Sequence, residues 1–256
     1  MKRYEQVIAS VARKAGISVA RIDSSNVKLP IETSQIDRDI VAAVRPFSMT
    51  SAERIWSLVQ AVAYVEDEHI PGALVECGVW RGGSVMAMAR KLVALGSCDR
   101  TIWLYDTFEG MTAPTANDVE AATGQLAEQL MASTEVGDGN NVWAYATQQD
   151  VVANLTTTGY EINQFKLVKG DVAQTLQTDV PETIAILRLD TDWYESTKVG
   201  LEILYPRLAV GGVCILDDYG HWVGARKAVD DYFAAVGHRP FMHPIDYSGR
   251  VFIKTR

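Results

Sequence analysis

The spacing of apolar residues along the chain changes at Pro71-Gly72. Before that point Ile55, Leu58, Val59, Val62 and Val65 recur three and four residues apart, which puts them on one face of a helix, and Thr50-Ser51-Ala52-Glu53 has the spacing of a capping box at its start. Residues 1–70 are therefore expected to form a helical extension that packs on the core. Beyond it, short continuous apolar runs alternate with amphipathic stretches. They predict strands at 74–77, 101–105, 165–168, 183–189 and 212–216, and helices at 84–95, 172–177, 194–207 and 223–235. Such alternation specifies an α/β domain, here 71–256, whose parallel sheet is wound by right-handed crossovers with helices on both faces. Two last runs, 240–244 and 250–254, flank Asp246-Tyr247-Ser248-Gly249 and predict a hairpin that brings the sheet to seven strands.

The rhythm fails over 111–160, a polar stretch rich in Ala, Gln, Asn, Thr and Gly that is too long for an ordinary connection. It is expected to be an inserted helical lid. The other reading of such a stretch is a disordered excursion.

The first predicted strand runs into Leu74-Val75-Glu76-Cys77-Gly78-Val79-Trp80-Arg81-Gly82-Gly83, an apolar run that ends in an acid and then glycines. Gly78 lets the backbone pass close to a ligand, and Gly82 and Gly83 let the turn close onto a helix that starts near Ser84. A dinucleotide turn reads Gly-x-Gly-x-x-Gly, whereas here a carboxylate stands two residues before the first glycine, where it repels phosphate. Glu76 suits a ligand with an amino group or a cationic centre, and S-adenosylmethionine has both. The bland alternative is a packed strand–helix corner.

Ligands of open α/β sheets bind beyond the carboxyl ends of the strands, and the residues found there are acidic throughout: Glu76, Asp106, Asp171, Asp190 with Asp192, and Asp217 with Asp218. Asp106, followed by Thr107 and Phe108, is placed to accept ribose hydroxyls or to close a turn. Asp171 is placed to reach an adenine amino group or to cap the helix after it. Asp190, Asp217 and Asp218 come from neighbouring strands and repel one another unless something neutralises them. A hard divalent cation does so, and an all-oxygen set without clustered His or Cys favours magnesium, calcium or manganese; a solvated strand end beside Arg226 and Lys227 is the alternative. His221 is either a base or substrate contact or an ordinary loop histidine. Trp80, Arg81, Trp193 and Tyr194 are candidates to line a substrate mouth, although packing explains such residues equally well.

A net charge of −8 over 256 residues argues against a nucleic-acid or anionic-membrane surface and leaves small molecules as the expected partners. Cys77, Cys98 and Cys214 are too scattered for a disulfide framework or a zinc site. Lys2 and Arg3 are not followed by an apolar leader, and no stretch is long enough to span a bilayer, so a cytoplasmic protein is expected.

Taken together, Val75-Glu76-Cys77-Gly78-Val79-Trp80-Arg81-Gly82-Gly83, Asp106-Thr107-Phe108-Glu109-Gly110, Leu187-Arg188-Leu189-Asp190-Thr191-Asp192, and Gly211-Gly212 followed by Asp217-Asp218-Tyr219 resemble the macrocin-type sugar O-methyltransferases of antibiotic biosynthesis. The resemblance spans about residues 45–255. It implies a Rossmann-like class I methyltransferase fold, S-adenosylmethionine and Mg2+ as cofactors, a glycosylated natural product as acceptor, and a homodimer. By the same resemblance the cofactor carboxylates fall on Glu76 and Asp106, within a cofactor set of Glu76, Gly78, Ser84, Asp106, Thr107 and Asp171. The metal ligands fall on Asp190, Asp217 and Asp218, with Asp190 also the base. The segment before residue 45 and the insertion match the family only in character, and these are the parts that choose a substrate. A catechol-type methyltransferase, a nicotinamide-dependent oxidoreductase and a non-catalytic cofactor-binding protein are the competing functions.

Overall fold

A computed structural model describes residues 29–136 and 142–256, so 1–28 of the expected extension and 137–141 of the insertion lie outside it. Residues 32–256 form one compact unit. Its centre is a seven-stranded sheet of β1 (Ala73–Cys77), β2 (Ile102–Asp106), β3 (Phe165–Lys169), β4 (Ile184–Leu189), β5 (Leu208–Leu216), β6 (His243–Pro244) and β7 (Arg250–Ile253) in the order β3-β2-β1-β4-β5-β7-β6. The first five strands are parallel, and β7 and β6 close one edge antiparallel, as the hairpin pattern predicts. Leu74, Val75, Leu104, Ile186 and Leu187 are fully buried. Both faces of the sheet are covered, which is why these strands read as unbroken apolar runs and not as alternating ones. Strand order reverses between β1 and β4, and that switch point opens a crevice at the strand ends.

The helices are α1 (Gln35–Val44), α2 (Ala52–Asp67), α3 (Gly83–Leu95), α4 (Ala127–Ala132), α5 (Gln148–Leu155), α6 (Val172–Thr175), α7 (Tyr194–Leu204) and α8 (Val223–Ala235). α1 and α2 pack on α3, and α2 buries Ile55, Leu58, Val59, Val62 and Val65, the face its spacing predicts. The cap of α2 is Ser51, whose side chain accepts from Arg54 N, and not Thr50. Thr50 is freed for another partner, described below. β5 begins at Leu208, four residues earlier than expected, and runs through Gly211, whose φ of +87° only a glycine adopts without strain. The helix expected over 172–177 is a single turn.

The insertion departs furthest from expectation. Among its described residues only α4 and α5 are α-helical, a 3-10 turn follows at Thr156–Thr158, and the rest is turns and loops with a Val119–Leu126 bridge and a Glu120–Trp222 bridge to the main sheet's connections. α4 sets Ala127 and Met131 against Trp193, Trp222 and Ala225 in a small apolar cluster apart from the main core. That cluster fastens the insertion over the ends of β4 and β5. On one face of the sheet a larger cluster joins Val75, Tyr105, Leu187, Leu201, Phe233 and Phe252. Cys77 and Cys214 are buried free thiols, and Cys98 is exposed and unpaired.

Candidate active site

A cavity of about 490 Å³ lies at the carboxyl ends of β1, β2, β4 and β5, with Met111, Glu120, Leu130 and Ala144 of the insertion along one wall. Its floor is the first turn. Gly78 has φ +84° and presses against the Asp190 backbone, where a Cβ would collide with the carbonyl oxygen, so no other residue fits there. Asp106 holds this turn closed: Oδ2 accepts from Val79 N at 2.6 Å and Trp80 N at 3.1 Å, and Oδ1 from Phe108 N at 2.7 Å. Burial raises its carboxyl above the usual range and these backbone donors pull it back.

Glu76 sits at the end of β1 in register with Arg188 of β4. Arg188 Nη1 donates to Glu76 Oε1, while Glu76 Oε2 is buried without a hydrogen-bond partner. Burial pushes the Glu76 carboxyl up to about 7, and Arg188 offsets this only in part. An unpartnered buried carboxylate oxygen costs free energy until a donor reaches it, and the ammonium of an amino-acid ligand is such a donor.

Asp190, Asp217 and Asp218 each offer an oxygen, all within 4.8 Å of one another. Their repulsion is met in part by protein cations. Arg188 Nη1 donates to Asp190 Oδ2 at 2.7 Å and Nη2 to Asp217 Oδ1 at 2.5 Å. Arg54 of α2 pairs with Asp217 and, at 2.9 Å, with Asp246, and Thr50 Oγ1 donates to Asp217 Oδ2 at 3.1 Å. Two guanidiniums thus face five acids, Glu76, Asp190, Asp192, Asp217 and Asp218, more than they can neutralise were all ionised. Burial, then the neighbouring acids, raise Asp218 well above the carboxylate range; burial does the same to Asp190 against the pull of Arg188. A hard-oxygen donor set short of compensating positive charge fits a divalent cation, which would favour the ionised forms.

Of the residues expected at a site, Glu76, Gly78, Ser84, Asp106, Asp190, Asp217, Asp218 and His221 line this one cavity. Thr107 and Asp171 do not. Thr107 Oγ1 donates to Gly110 O at 2.5 Å, and Asp171 Oδ1 accepts from Ala173 N at 2.9 Å as the cap of α6. The capping alternative therefore describes Asp171, and Thr107 serves its own turn. Trp80 lines the cavity, whereas Trp193 is buried in the α4 cluster and Tyr194 turns its hydroxyl to Asp231. Arg81 stacks over Phe47 and pairs with Asp150 of α5, tying the first turn to the insertion. His221 stands at the wall, 3.4 Å from the Tyr247 hydroxyl, with its pKa lowered by burial.

Arg188, Arg54 and Thr50 were not among the expected site residues, and Asp192 was collected with the strand-end acids without a role. Asp192 has a left-handed φ of +61°, accepts from Trp222 Nε1 at 2.7 Å, and has its carboxyl raised to about 7 by burial and by Asp190. A non-glycine residue held in that conformation marks a constrained position, but only coordinates reveal it. Arg188 carries a sequence signal: a lone cation inside the apolar strand Ile184–Leu189 needs a buried partner.

The Macrocin-O-methyltransferase (TylF) family matches residues 31–254. The chain belongs to this family. Relatives include the demethyldecarbamoylnovobiocin O-methyltransferase of Streptomyces niveus, 34% identical over 82% of this chain and 76% of that one. A Streptomyces olivaceus enzyme, 8-demethyl-8-(2,3-dimethoxy-alpha-L-rhamnosyl)-tetracenomycin-C 4'-O-methyltransferase, is 36% identical over 79% of this chain and 73% of its own. The solved structure of the O-methyltransferase NovP superposes with a TM-score of 0.70 at 32% identity, covering 82% of this chain and 83% of that one. The macrocin-type protein described here is an S-adenosylmethionine-dependent O-methyltransferase with a Rossmann-like fold. The oxidoreductase and non-catalytic readings fall away with that membership.

Proposed function

We propose that this O-methyltransferase acts in the cytoplasm, as a homodimer, on a sugar hydroxyl of a glycosylated natural product, with Mg2+ held by Asp190, Asp217 and Asp218. The observation that carries this reading is the convergence of those three carboxylates in the cavity whose floor is the Glu76–Gly78 turn. The named acceptors of the relatives, a novobiocin precursor and a rhamnosylated tetracenomycin, support the acceptor class.

S-adenosylmethionine would supply the methyl group, and Glu76, whose Oε2 is buried without a partner, would hold its ammonium. Bound Mg2+ supplies the positive charge that orients an acceptor hydroxyl and lowers its pKa. The protein does the remainder. The cavity walls exclude water and align the acceptor oxygen opposite the sulfur, so that much of the barrier reduction comes from positioning. A carboxylate then takes the hydroxyl proton. Asp190 is the base in this reading. Asp192 is the specific competitor, because it lines the same cavity outside the three-carboxylate cluster and its carboxyl is raised to about 7, close to the working range of a general base.

The test is mass spectrometry of products after incubation with S-adenosylmethionine and either glycosides bearing vicinal hydroxyls or simple catechols. Glycosides are expected to gain one methyl group, activity is expected to vanish with chelator and return with Mg2+, and Asp190→Asn is expected to abolish it. Methylation of catechols alone would replace the acceptor class. Turnover undiminished by chelator would remove the metal, and an inactive Asp192→Asn beside an active Asp190→Asn would move the base.

A further inference from the structure

The side chain of Arg188 is 2% exposed, and its two terminal nitrogens serve three carboxylates. One nitrogen, Nη1, donates both to Glu76 Oε1 and to Asp190 Oδ2, and Nη2 donates to Asp217 Oδ1. The sheet dictates the arrangement. Glu76 and Arg188 are register partners on adjacent parallel strands, Asp190 follows two residues later, and Asp217 directly follows Leu216, the register partner of Leu189. One planar cation is thereby wedged at the switch point between the cofactor carboxylate and the carboxylates on the acceptor side.

We propose that Arg188 is a positioning residue through which the two halves of the cavity sense each other's charge. The inference rests on the reading of Glu76 as the partner of the cofactor's amino group. Nη1 carries two N–H bonds, one toward each carboxylate, and what the two acids share is the single positive charge of the guanidinium. Whatever removes the charge of Asp190 leaves that cation compensating Glu76 more fully, and a more fully compensated Glu76 holds an ammonium less tightly; conversely, an ammonium at Glu76 Oε2 leaves more of the guanidinium's charge to Asp190. The guanidinium is rigid, always charged and has several donors in fixed directions, so it can bridge. A lysine in its place keeps the charge on one compact ammonium at the end of a flexible stem, which does not reproduce the bridge. The direct field of Asp190 on the cofactor does not need Arg188, and this separates the proposal from ordinary electrostatics.

The experiment is a double-mutant cycle read by calorimetric titration of S-adenosylhomocysteine in chelator-containing buffer, with wild type, Asp190→Asn, Arg188→Lys and the double variant. Asp190→Asn is expected to weaken binding about tenfold in the wild-type background and less than about twofold in the Arg188→Lys background. A purely structural arginine would lower thermal stability without this non-additivity. Equal losses in both backgrounds, or no loss in the first, would overturn the proposal while leaving the cofactor site standing. Failure of the wild type to bind would overturn the Glu76 reading and the proposal with it. Should Arg188→Lys not fold, the guanidinium 15N resonances of Arg188 in the wild type give the second readout. They are expected to shift both with S-adenosylhomocysteine and with Asp190→Asn, and resonances unmoved by either would overturn the proposal.

Discussion

A single carboxylate, Glu76, makes cofactor binding sensitive to pH near neutrality. Burial raises it to about 7 against the pull of Arg188, so above that pH it is a carboxylate able to hold an ammonium, and below it the neutral acid holds one poorly. S-adenosylhomocysteine affinity is therefore expected to be full in mildly alkaline buffer, where the ligand's amino group is still protonated, and to decline as pH falls through about 7. Glu76→Gln is expected to bind at least about tenfold more weakly with that inflection gone, as the loss of a charged hydrogen bond in a buried site implies. Calorimetry across pH checks both, and an inflection that persists in the variant would contradict the assignment. At this scale the sequence was readable where residue type and position coincide: acids directly after apolar runs do line the cavity at Glu76, Asp106, Asp190, Asp217 and Asp218. It was unreadable where a partner comes from far along the chain. Arg54 of α2 and Thr50, just before its cap, reach Asp217, and nothing in their local pattern distinguishes them from ordinary helix-start residues.

Among the elements, the insertion was legible as an interruption but not in its content. Its polar composition predicts a helical lid, yet its first part is held by a buried side chain and not by helix packing. Asp118 is fully buried. Its Oδ1 accepts from Tyr194 N at 2.7 Å at the start of α7, and its Oδ2 from Thr115 N at 2.7 Å and Thr115 Oγ1 at 2.9 Å. Gly224 of α8 leaves room for that carboxylate, which a Cβ would strike. Three donors on two oxygens require a carboxylate, because an amide presents N–H groups on one side. Asp118→Asn is thus expected to cost about 1–3 kcal/mol of stability, the cost of leaving a buried donor unpaired. It is also expected to raise the acceptor KM while leaving S-adenosylhomocysteine affinity within about twofold, because Asp118 contacts the insertion and α7 but not the first turn. Thermal melts and kinetics against acceptor check this. A variant weakened equally for cofactor and acceptor would show that the insertion does not act as a separate wall.

For the molecule as a whole, strand–helix alternation was enough to specify a parallel sheet with an antiparallel edge, because burial of both faces leaves a continuous apolar signature in each strand. The boundary of β5 was not readable, since Gly211-Gly212 signals a turn in sequence but lies inside the strand. Among the described residues no helix is long and apolar enough to cross a membrane. The switch point between β1 and β4 gathers charges from distant parts of the chain into one crevice: Glu76 from the first third, Arg188, Asp190, Asp217 and Asp218 from the last third, and Arg54 from the helix that precedes the sheet. The central claim is that this crevice holds a cofactor and a divalent cation in separate halves. Its most direct test is calorimetric titration of S-adenosylhomocysteine and then Mg2+ into the wild type and Asp218→Asn. Asp218 is the informative choice because neither arginine of the network is hydrogen-bonded to it, and its one backbone donor, Asp192 N at 3.1 Å, can still be met by an amide oxygen. One cofactor product and one Mg2+ are expected to bind per wild-type chain, with Mg2+ binding lost and cofactor binding retained in the variant. A wild type that ignores either ligand, or a variant that binds Mg2+ as the wild type does, would contradict the account.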